Sequence, residues 1–204
     1  MTIILLSVSL GKIAPLFVRD GTDRVSSVMT AIRKTPVSSV TSPNPVDIGI
    51  MGVSGDESAD PSVHGGRDRA VYLMPSEHYA FWQEQRVRAR LPDEALPHGF
   101  LGENLTISGL LEENIYIGDE LQIGNVVLAV TAPREPCFKF NARMGYTHAA
   151  KHMVQKGNCG WYSQVVNPGT LQAGQTIEVT PGPRRLSIAE EFARLNKRAM
   201  KSLF

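Results

Sequence analysis

The stretch IYIGDELQIGNVVLAV, residues 115–130, contains short apolar runs separated by the pairs Gly118-Asp119 and Gly124-Asn125. Short β-branched and aliphatic runs between such pairs are typical of β-strands joined by tight turns. We therefore predict strands over 115–117, 121–123 and 126–130. Similar turn residues recur at short spacing across residues 99–179, where a further strand is predicted over 176–179. This pattern indicates a closed or nearly closed β-barrel.

The composition agrees with a globular chain rich in turns. Of 204 residues, 42% are hydrophobic and 20% are charged, which is enough to bury a core. The 18 glycines and 13 prolines suit many turns between short strands. A formal charge of +1 argues against a generally basic nucleic-acid binder and against an acidic, disordered chain. Two cysteines are too few for a disulfide framework or a four-cysteine zinc site.

The first ten residues, MTIILLSVSL, are mostly apolar and need a separate interpretation. They lack the positive start of a secretory signal and are shorter than the about 20 residues of a membrane helix. Their β-branched content predicts a buried first strand. We therefore expect a cytoplasmic protein with reduced thiols and no membrane partner.

Other segments predict further strands and two helices. Strands are predicted over Val28–Ile32 and Val46–Val53, and a helix capped by Ser76 is predicted to run to about Arg90. Near the C-terminus, Ser187-x-x-Glu190 is a capping box before an amphipathic stripe, which predicts a helix over 187–203.

The predicted organisation is a mainly β domain over residues 1–182, followed by a C-terminal helical segment over 183–204. This last segment is locally basic, and we interpret its charge as a solvated helix face.

Cys137 is the first candidate for chemistry, within APREPCFKFNAR, residues 132–143. Arg134, Lys139 and Arg143 place cations near it, and cations favour the thiolate, which attacks electrophiles or binds a soft metal. A buried structural cysteine is the alternative. Cys159 has only Lys156 close in sequence, and we interpret it as a bystander.

Two other segments suggest anion binding. In Arg33-Lys34-Thr35, two cations and a hydroxyl would suit a phosphate, although a surface strand end has the same composition. His64 precedes Gly65-Gly66, where exposed backbone N–H groups can approach an anion, although a plain turn needs the same glycines.

His148 and His152 would share one face of a helix, because they are four residues apart. With no adjoining carboxylate to support zinc, we interpret them as a solvated pair.

Taken in order, several motifs resemble the MOSC domain, and more narrowly its YiiM branch, which is known for resistance to 6-hydroxylaminopurine. The resemblance covers roughly residues 5 to 180. The motifs are RKTPV (33–37), GVSGD (52–56), AD (59–60), VHGGRDRAV (63–71), GENL (102–105), IGD (117–119), PREPC (133–137) and GWY (160–162).

The resemblance implies a mainly β, barrel-like MOSC domain with a few helices and a C-terminal helix. Such domains are similar to the C-terminal part of molybdenum cofactor sulfurase and to the mitochondrial amidoxime reducing component. The implied cofactor is molybdopterin with molybdenum, and pyridoxal phosphate binding is a further association. The YiiM branch often continues into a three-helix module, of which the segment 183–204 would be a remnant.

The implied site residues are carried over position by position. Cys137 matches the cysteine that binds molybdenum or carries sulfur, and is thus the implied catalytic residue. Lys34 and Thr35 match a pair associated with the cofactor phosphate, and Asn104 matches an asparagine near the pterin. The remaining implied cofactor-binding residues are His64, Gly65, Gly66 and Arg134.

The function that this resemblance implies is molybdenum-dependent reduction of N-hydroxylated bases and related compounds by N–O bond cleavage. Because the sequence has no flavin or nicotinamide motif, the electrons would come from a separate flavin-type reductase. One alternative is a sulfur or molybdopterin carrier that uses Cys137 without turnover. Another is a cofactor-free interaction domain.

Overall fold

The computed structural model describes residues 2–19, 25–60 and 65–201, so the predicted site residue His64 lies outside the described residues. The described strands are β1 Ile4–Gly11, β2 Ala14–Arg19, β3 Val25–Thr30, β4 Lys34–Ser39, β5 Val46–Gly49, β6 Gly52–Val53, β7 Val71–Pro75, β8 Leu105–Ser108, β9 Glu120–Ile123, β10 Val126–Pro133, β11 Trp161–Asn167, β12 Gly169–Leu171 and β13 Ile177–Thr180. The α-helices are α1 Tyr79–Arg88, α2 Phe138–Met144, α3 Ala149–Lys156 and α4 Ile188–Lys201, and short 3-10 helices cover Arg67–Arg69 and Ser76–His78.

An eight-stranded sheet organises the fold, in the order β13-β9-β10-β11-β7-β8-β1-β4. Its pairs are antiparallel except the parallel pair β7–β8. The sheet also curls back on itself, because Leu5 N–H donates to the Gln175 carbonyl and Ile177 N–H donates to the Ile3 carbonyl, each at 2.9 Å. The prediction of a mainly β domain with a few helices and a C-terminal helix is confirmed.

The core lies inside this curved sheet and beneath the helices. All five residues of β7 are buried, as expected for a strand in the middle of the sheet. On α1, the ring of Trp82 packs edge-on against Phe140 of α2, with 5.1 Å between ring centroids. Burying an aromatic or aliphatic side chain of this size contributes about 1.5–3 kcal/mol. The packing therefore joins the two helices to each other within the core.

Several predicted elements near the N-terminal half have different bounds. The strand predicted over 28–32 is β3, and it pairs with β2, which the sequence analysis did not predict. The strand predicted over 46–53 is a hairpin of β5 and β6 with a turn at residues 50–51. Ser76 does not cap α1, because residues 76–78 form a 3-10 turn ahead of the helix.

One strand predicted within residues 99–179 is wrong, and two short helices there were not predicted. Residues 115–117 form a turn with one bridge, Tyr116 to Ser187, because the Asp119 carboxylate accepts the Tyr116 N–H at 3.1 Å and closes the chain locally. Helices α2 and α3 lie in the same region, where the sequence analysis predicted strands and turns and gave no bounds for a helix. They are seven and eight residues long, too short to show a clear helical periodicity, and each ends at a glycine in the left-handed conformation.

The predicted capping box before α4 is confirmed. Ser187 N–H donates to Glu190 Oε2 at 2.8 Å, and Glu190 N–H donates to Ser187 Oγ at 3.2 Å. Ile188 and Phe192 are buried, so α4 presents its apolar stripe to the core. None of the helices in the described ranges has the length and apolar character needed to span a membrane.

Candidate functional site

A cleft opens where the end of β3, the loop after β6 and the segment before α2 come together. Five of the predicted site residues line it, although they are spread along the chain: Lys34, Gly65, Asn104, Arg134 and Cys137. The cleft wall also contains the aromatic rings of Tyr72 and Tyr162, whose centroids are 5.3 Å apart.

Thr35 and Gly66 are placed differently from these five. Among the described residues, neither is part of the cleft lining. Thr35 is exposed on β4, because successive side chains of a strand point to opposite faces and Lys34 takes the inner one. Gly66 has a φ of 85° and starts the 3-10 turn Arg67–Arg69, so it shapes the chain beside the cleft.

Cys137 is partly exposed and directly precedes α2. Its backbone is extended, and its carbonyl accepts the Phe140 N–H at 3.0 Å, which fixes the start of the helix. Cys159 is fully buried and is not part of the cleft lining as described. Burial raises the pKa of the Cys159 thiol well above its usual value, and Glu112 raises it further. Of the two thiols, Cys137 is therefore the one available to a ligand.

Arg134 is the most buried cation of the cleft, with 5% of the residue exposed. Its guanidinium lies 4.5 Å from the ring centroid of Phe140 and 5.3 Å from that of Tyr72, and Nη1 contacts Met153 Sδ at 3.6 Å. Burial lowers the pKa of Arg134, but the surrounding Tyr72, Cys137, Tyr162 and Cys159 together raise it by more, so the group stays charged. Within the described ranges, no carboxylate pairs with it.

The other two cations near Cys137 in the sequence occupy different positions in the structure. Lys139 is buried and lines the cleft. Arg143 lies outside the described lining, where its Nε donates to the Phe100 carbonyl at 2.8 Å and its guanidinium stacks 3.8 Å from the Phe100 ring centroid. Burial lowers the pKa of Arg143 to about 10, with a further contribution from Arg33. The expectation that all three cations surround Cys137 is thus too broad.

A carboxylate that the sequence analysis gave no role, Asp56, organises the opposite side of the cleft. Its Oδ2 accepts from Lys34 Nζ at 2.5 Å and from Asn104 Nδ2 at 2.8 Å, and its Oδ1 accepts from Gly11 N–H at 2.7 Å. Asp56 belongs to the quoted motif GVSGD, but no sequence spacing shows that it faces residue 34. The Gly11–Lys34 pair in the β1–β4 register brings the two together.

Asn104 is engaged with protein groups at both ends of its amide. Its Nδ2 donates to Asp56, and its Oδ1 accepts the Tyr72 N–H at 3.1 Å. Its backbone N–H donates to the Tyr72 carbonyl and its carbonyl accepts the Ser9 N–H. Asn104 therefore ties β1, β7 and Asp56 together at the floor of the cleft.

A buried pair behind the cleft supports the loop that contacts Arg134. His78 Nε2 lies 2.8 Å from Glu112 Oε2, while Glu112 Oε1 accepts from the N–H groups of Cys159 and Gly160 at 3.0 and 2.7 Å. The Gly160 carbonyl in turn accepts the Arg134 N–H at 3.3 Å. Neither His78 nor Glu112 was identified from the sequence, since no local motif joins them.

The remaining histidine pair has no partners suited to a metal. His152 Nδ1 lies 3.3 Å from Tyr146 Oη, and His148 is exposed at the start of α3. Among residues 2–19, 25–60 and 65–201, no group of three histidine, cysteine or acidic side chains could hold a metal ion.

Comparison with known proteins relates this site to a family. Residues 60–178 match the MOSC domain. The chain is 34% identical over 145 residues to protein YiiM of Escherichia coli, covering 70% of this chain and 62% of that protein. It is 39% identical over 142 residues to a protein named reductase from Gibberella moniliformis, covering 68% of this chain but 24% of that protein.

Solved structures agree with this relationship. The crystal structure of YiiM from Geobacillus stearothermophilus superposes with a TM-score of 0.70 at 28% identity, covering 98% of this chain and 90% of the other. The MOSC match includes Cys137, Arg134 and Lys139, whereas Lys34 and Asp56 on the other side of the cleft precede it. The chain belongs to the MOSC domain family, and within that family it is similar to YiiM proteins.

Proposed function

We propose that this chain is an oxidoreductase that cleaves the N–O bond of N-hydroxylated bases and related compounds, using a molybdenum cofactor held by Cys137. One observation carries the proposal: the accessible thiol of Cys137 shares a cleft with the buried guanidinium of Arg134, which has no carboxylate partner among the described residues. A soft ligand beside an uncompensated cation suits a metal cofactor that carries negative charge.

The donor set of the cleft fits the cofactor. Cys137 would bind the metal, because molybdenum favours thiolate among the protein ligands. Lys34 and Arg134 would contact anionic groups, and Asn104 would hold Asp56 and Lys34 in place. When bound, the cofactor supplies the two-electron chemistry of N–O cleavage.

The protein's own residues would bind and shield the substrate. Tyr72 and Tyr162 form an aromatic wall of the cleft, suited to stacking against a planar base. The overall reaction consumes two electrons and two protons, and converts the N-hydroxy compound to the amine or amidine plus water.

The electrons would come from a separate flavin-type reductase, since the sequence contains no flavin or nicotinamide motif. The name of the Gibberella moniliformis relative, reductase, supports an oxidoreductase role for the region that the two proteins share. The chain spans about three fifths of the length of E. coli YiiM.

The test is turnover by cofactor-loaded protein. The chain would be produced in a host that makes the molybdenum cofactor, and molybdenum and pterin would be measured per folded protein. We expect reduction of 6-hydroxylaminopurine to adenine with a chemical electron donor, and loss of this reduction in Cys137→Ala. A loaded protein without turnover would instead favour a sulfur or molybdopterin carrier, and a protein that takes up neither molybdenum nor pterin would contradict both.

A further inference from the structure

The carboxylates of the cleft already have partners. Asp56 binds Lys34 at 2.5 Å, and Glu57 binds Lys12 at 3.0 Å. Glu135 lies 3.6 Å from Arg69. Asp60 also has a partner. Each carboxylate that lines the cleft is therefore paired with another group, and none of these described pairs neutralises the cations beside Cys137.

Arg134 retains hydrogen-bonding capacity for a ligand. A guanidinium has five N–H donors, and its described partners are the weak sulfur acceptor Met153 Sδ and the side chain of Tyr162, which leaves donors for a ligand. The rings of Phe140 and Tyr72 hold its plane in place without satisfying those donors in the manner of a carboxylate. A guanidinium preorganised in this way suits an oxygen-bearing anion.

Lys139 adds a second buried cation two residues after Cys137. It is 9% exposed and lines the cleft, and the described part of the chain provides it with neither an ion pair nor a hydrogen bond. A largely buried lysine without a counter-charge is poorly solvated, and an anion bound in the cleft would offset that cost. Both cations follow β10 within six residues and share one wall.

We propose that Arg134 and Lys139 form an oxyanion subsite beside Cys137, which binds a phosphate or carboxylate group. Two sources carry this chemistry: an anionic group of the cofactor, or an anionic group of the substrate. This inference rests on the proposed function in taking Cys137 as the reacting centre, but anion binding is measurable without any turnover.

The subsite is distinct from the Lys34 side of the cleft. The charge of Lys34 is already matched by Asp56 at 2.5 Å, whereas Arg134 and Lys139 bring two charges with no described counter-charge. An anion should therefore bind more strongly at the Arg134–Lys139 wall than at Lys34, because a charge-assisted bond gains most where no protein group competes for it.

The experiment is a calorimetric titration of inorganic phosphate into the full chain, produced in a host that lacks the molybdenum cofactor. Ionic strength is held constant with chloride. We expect saturable binding that weakens about tenfold or more in Lys139→Met and in Arg134→Met, because each removes one charged hydrogen-bond donor. The matched control is Lys151→Met, which removes an exposed lysine on α3 and should bind phosphate as the unmodified protein does.

Thermal melts keep the test decisive if a variant folds poorly. A ligand that binds only the folded state raises the melting temperature, so phosphate should stabilise the unmodified chain and the Lys151→Met control but not Lys139→Met. Absence of phosphate binding in the unmodified chain would overturn the subsite. Binding that survives unchanged in both Lys139→Met and Arg134→Met would overturn it equally.

Cofactor-loaded protein distinguishes the two sources. If the cofactor supplies the anion, loading should abolish phosphate binding. If the substrate supplies it, loaded protein should still bind phosphate, and phosphate should compete with substrates that carry an anionic group. Either result supports the subsite. Intact phosphate binding without any turnover would contradict the proposed function and leave the subsite standing.

Discussion

The Nζ atom of Lys34 lies 2.5 Å from Oδ2 of Asp56, in a pair whose side chains are 8% and 16% exposed. Burial lowers the pKa of Lys34, and the adjacent Asp56 and, more weakly, Glu103 raise it. Asp56 is therefore the group that keeps a buried lysine charged at one side of the cleft. The pair also joins β4 to the loop after β6, so its charge balance affects both stability and ligand binding.

Asp56→Asn should destabilise the protein by about 3 kcal/mol at neutral pH, because it leaves the Lys34 ammonium buried without its counter-charge. The pKa of Lys34 should fall further in this variant. A lysine whose pKa is lowered by burial binds fewer protons in the folded state than in the unfolded state. The free energy of unfolding therefore increases with pH until the pH reaches the usual lysine pKa of 10.5. The difference in unfolding free energy between the unmodified chain and Asp56→Asn should thus become smaller as the pH rises. Urea unfolding between about pH 6 and 10 measures this difference.

The control for this prediction is Glu84→Gln, which breaks the exposed Arg88–Glu84 pair on α1. An exposed pair of this kind contributes about 0–1 kcal/mol, so the control should unfold almost as the unmodified chain does at every pH. A deficit in Asp56→Asn that stays constant from neutral to alkaline pH would show that Lys34 is not the group that responds.

The two cysteines should respond in opposite ways to replacement by alanine. Cys137→Ala should abolish N-hydroxy reduction and molybdenum retention with little change in the melting temperature, because the residue is partly exposed. Cys159→Ala should retain N-hydroxy reduction and molybdenum per folded molecule. It should lower the unfolding free energy by about 1 kcal/mol, because it leaves a small cavity in the core. Activity, metal content and a melt of both variants check this. An active, metal-loaded Cys137→Ala protein is the result that would refute the assignment.

Gly160 should tolerate no side chain, because its φ is 63° and an added Cβ would lie 2.2 Å from the Leu73 carbonyl oxygen. Gly160→Ala combines backbone strain with overpacking and should cost about 3 kcal/mol. Since Gly160 contacts Glu112 and Arg134, we also expect weaker phosphate binding in this variant.

Gly157→Ala is the matched control for Gly160→Ala. Gly157 also has a positive φ, 77°, but a Cβ there would meet nothing within 4 Å. The control should cost only the backbone strain, about 1 kcal/mol. Equal losses of unfolding free energy in the two variants would exclude the steric clash as the cause.

Ser187→Ala should remove the side-chain half of the capping box before α4 and cost about 1 kcal/mol. Because α4 packs its buried Ile188 and Phe192 against the core, the loss should appear in the global unfolding transition. Replacing Ser42, an exposed serine outside the helices, should change the unfolding free energy by less. An unchanged midpoint in Ser187→Ala would mean that α4 contributes little to global stability.

Local patterns in the sequence were sufficient for several features of this protein. The Gly-Asn turn at 124–125 predicts the β9–β10 hairpin, and Ser187-x-x-Glu190 predicts the start of α4, because both depend on residues a few positions apart. The ordered motifs were enough to identify the family and to select Lys34, Asn104, Arg134 and Cys137, which the fold places around one cleft.

Only the tertiary structure decided how those residues are used. The Lys34–Asp56 pair forms because the β1–β4 register places Lys34 opposite Gly11, whose N–H donates to Asp56. The outward direction of Thr35 follows from the face that β4 turns to the core. Likewise Lys139 is buried in the cleft, while Arg143, one turn further along the same face of α2, stacks on Phe100, because different elements pack against the helix at the two positions. Burial and charge pairing depend on residues distant in sequence, and local composition does not encode those distances.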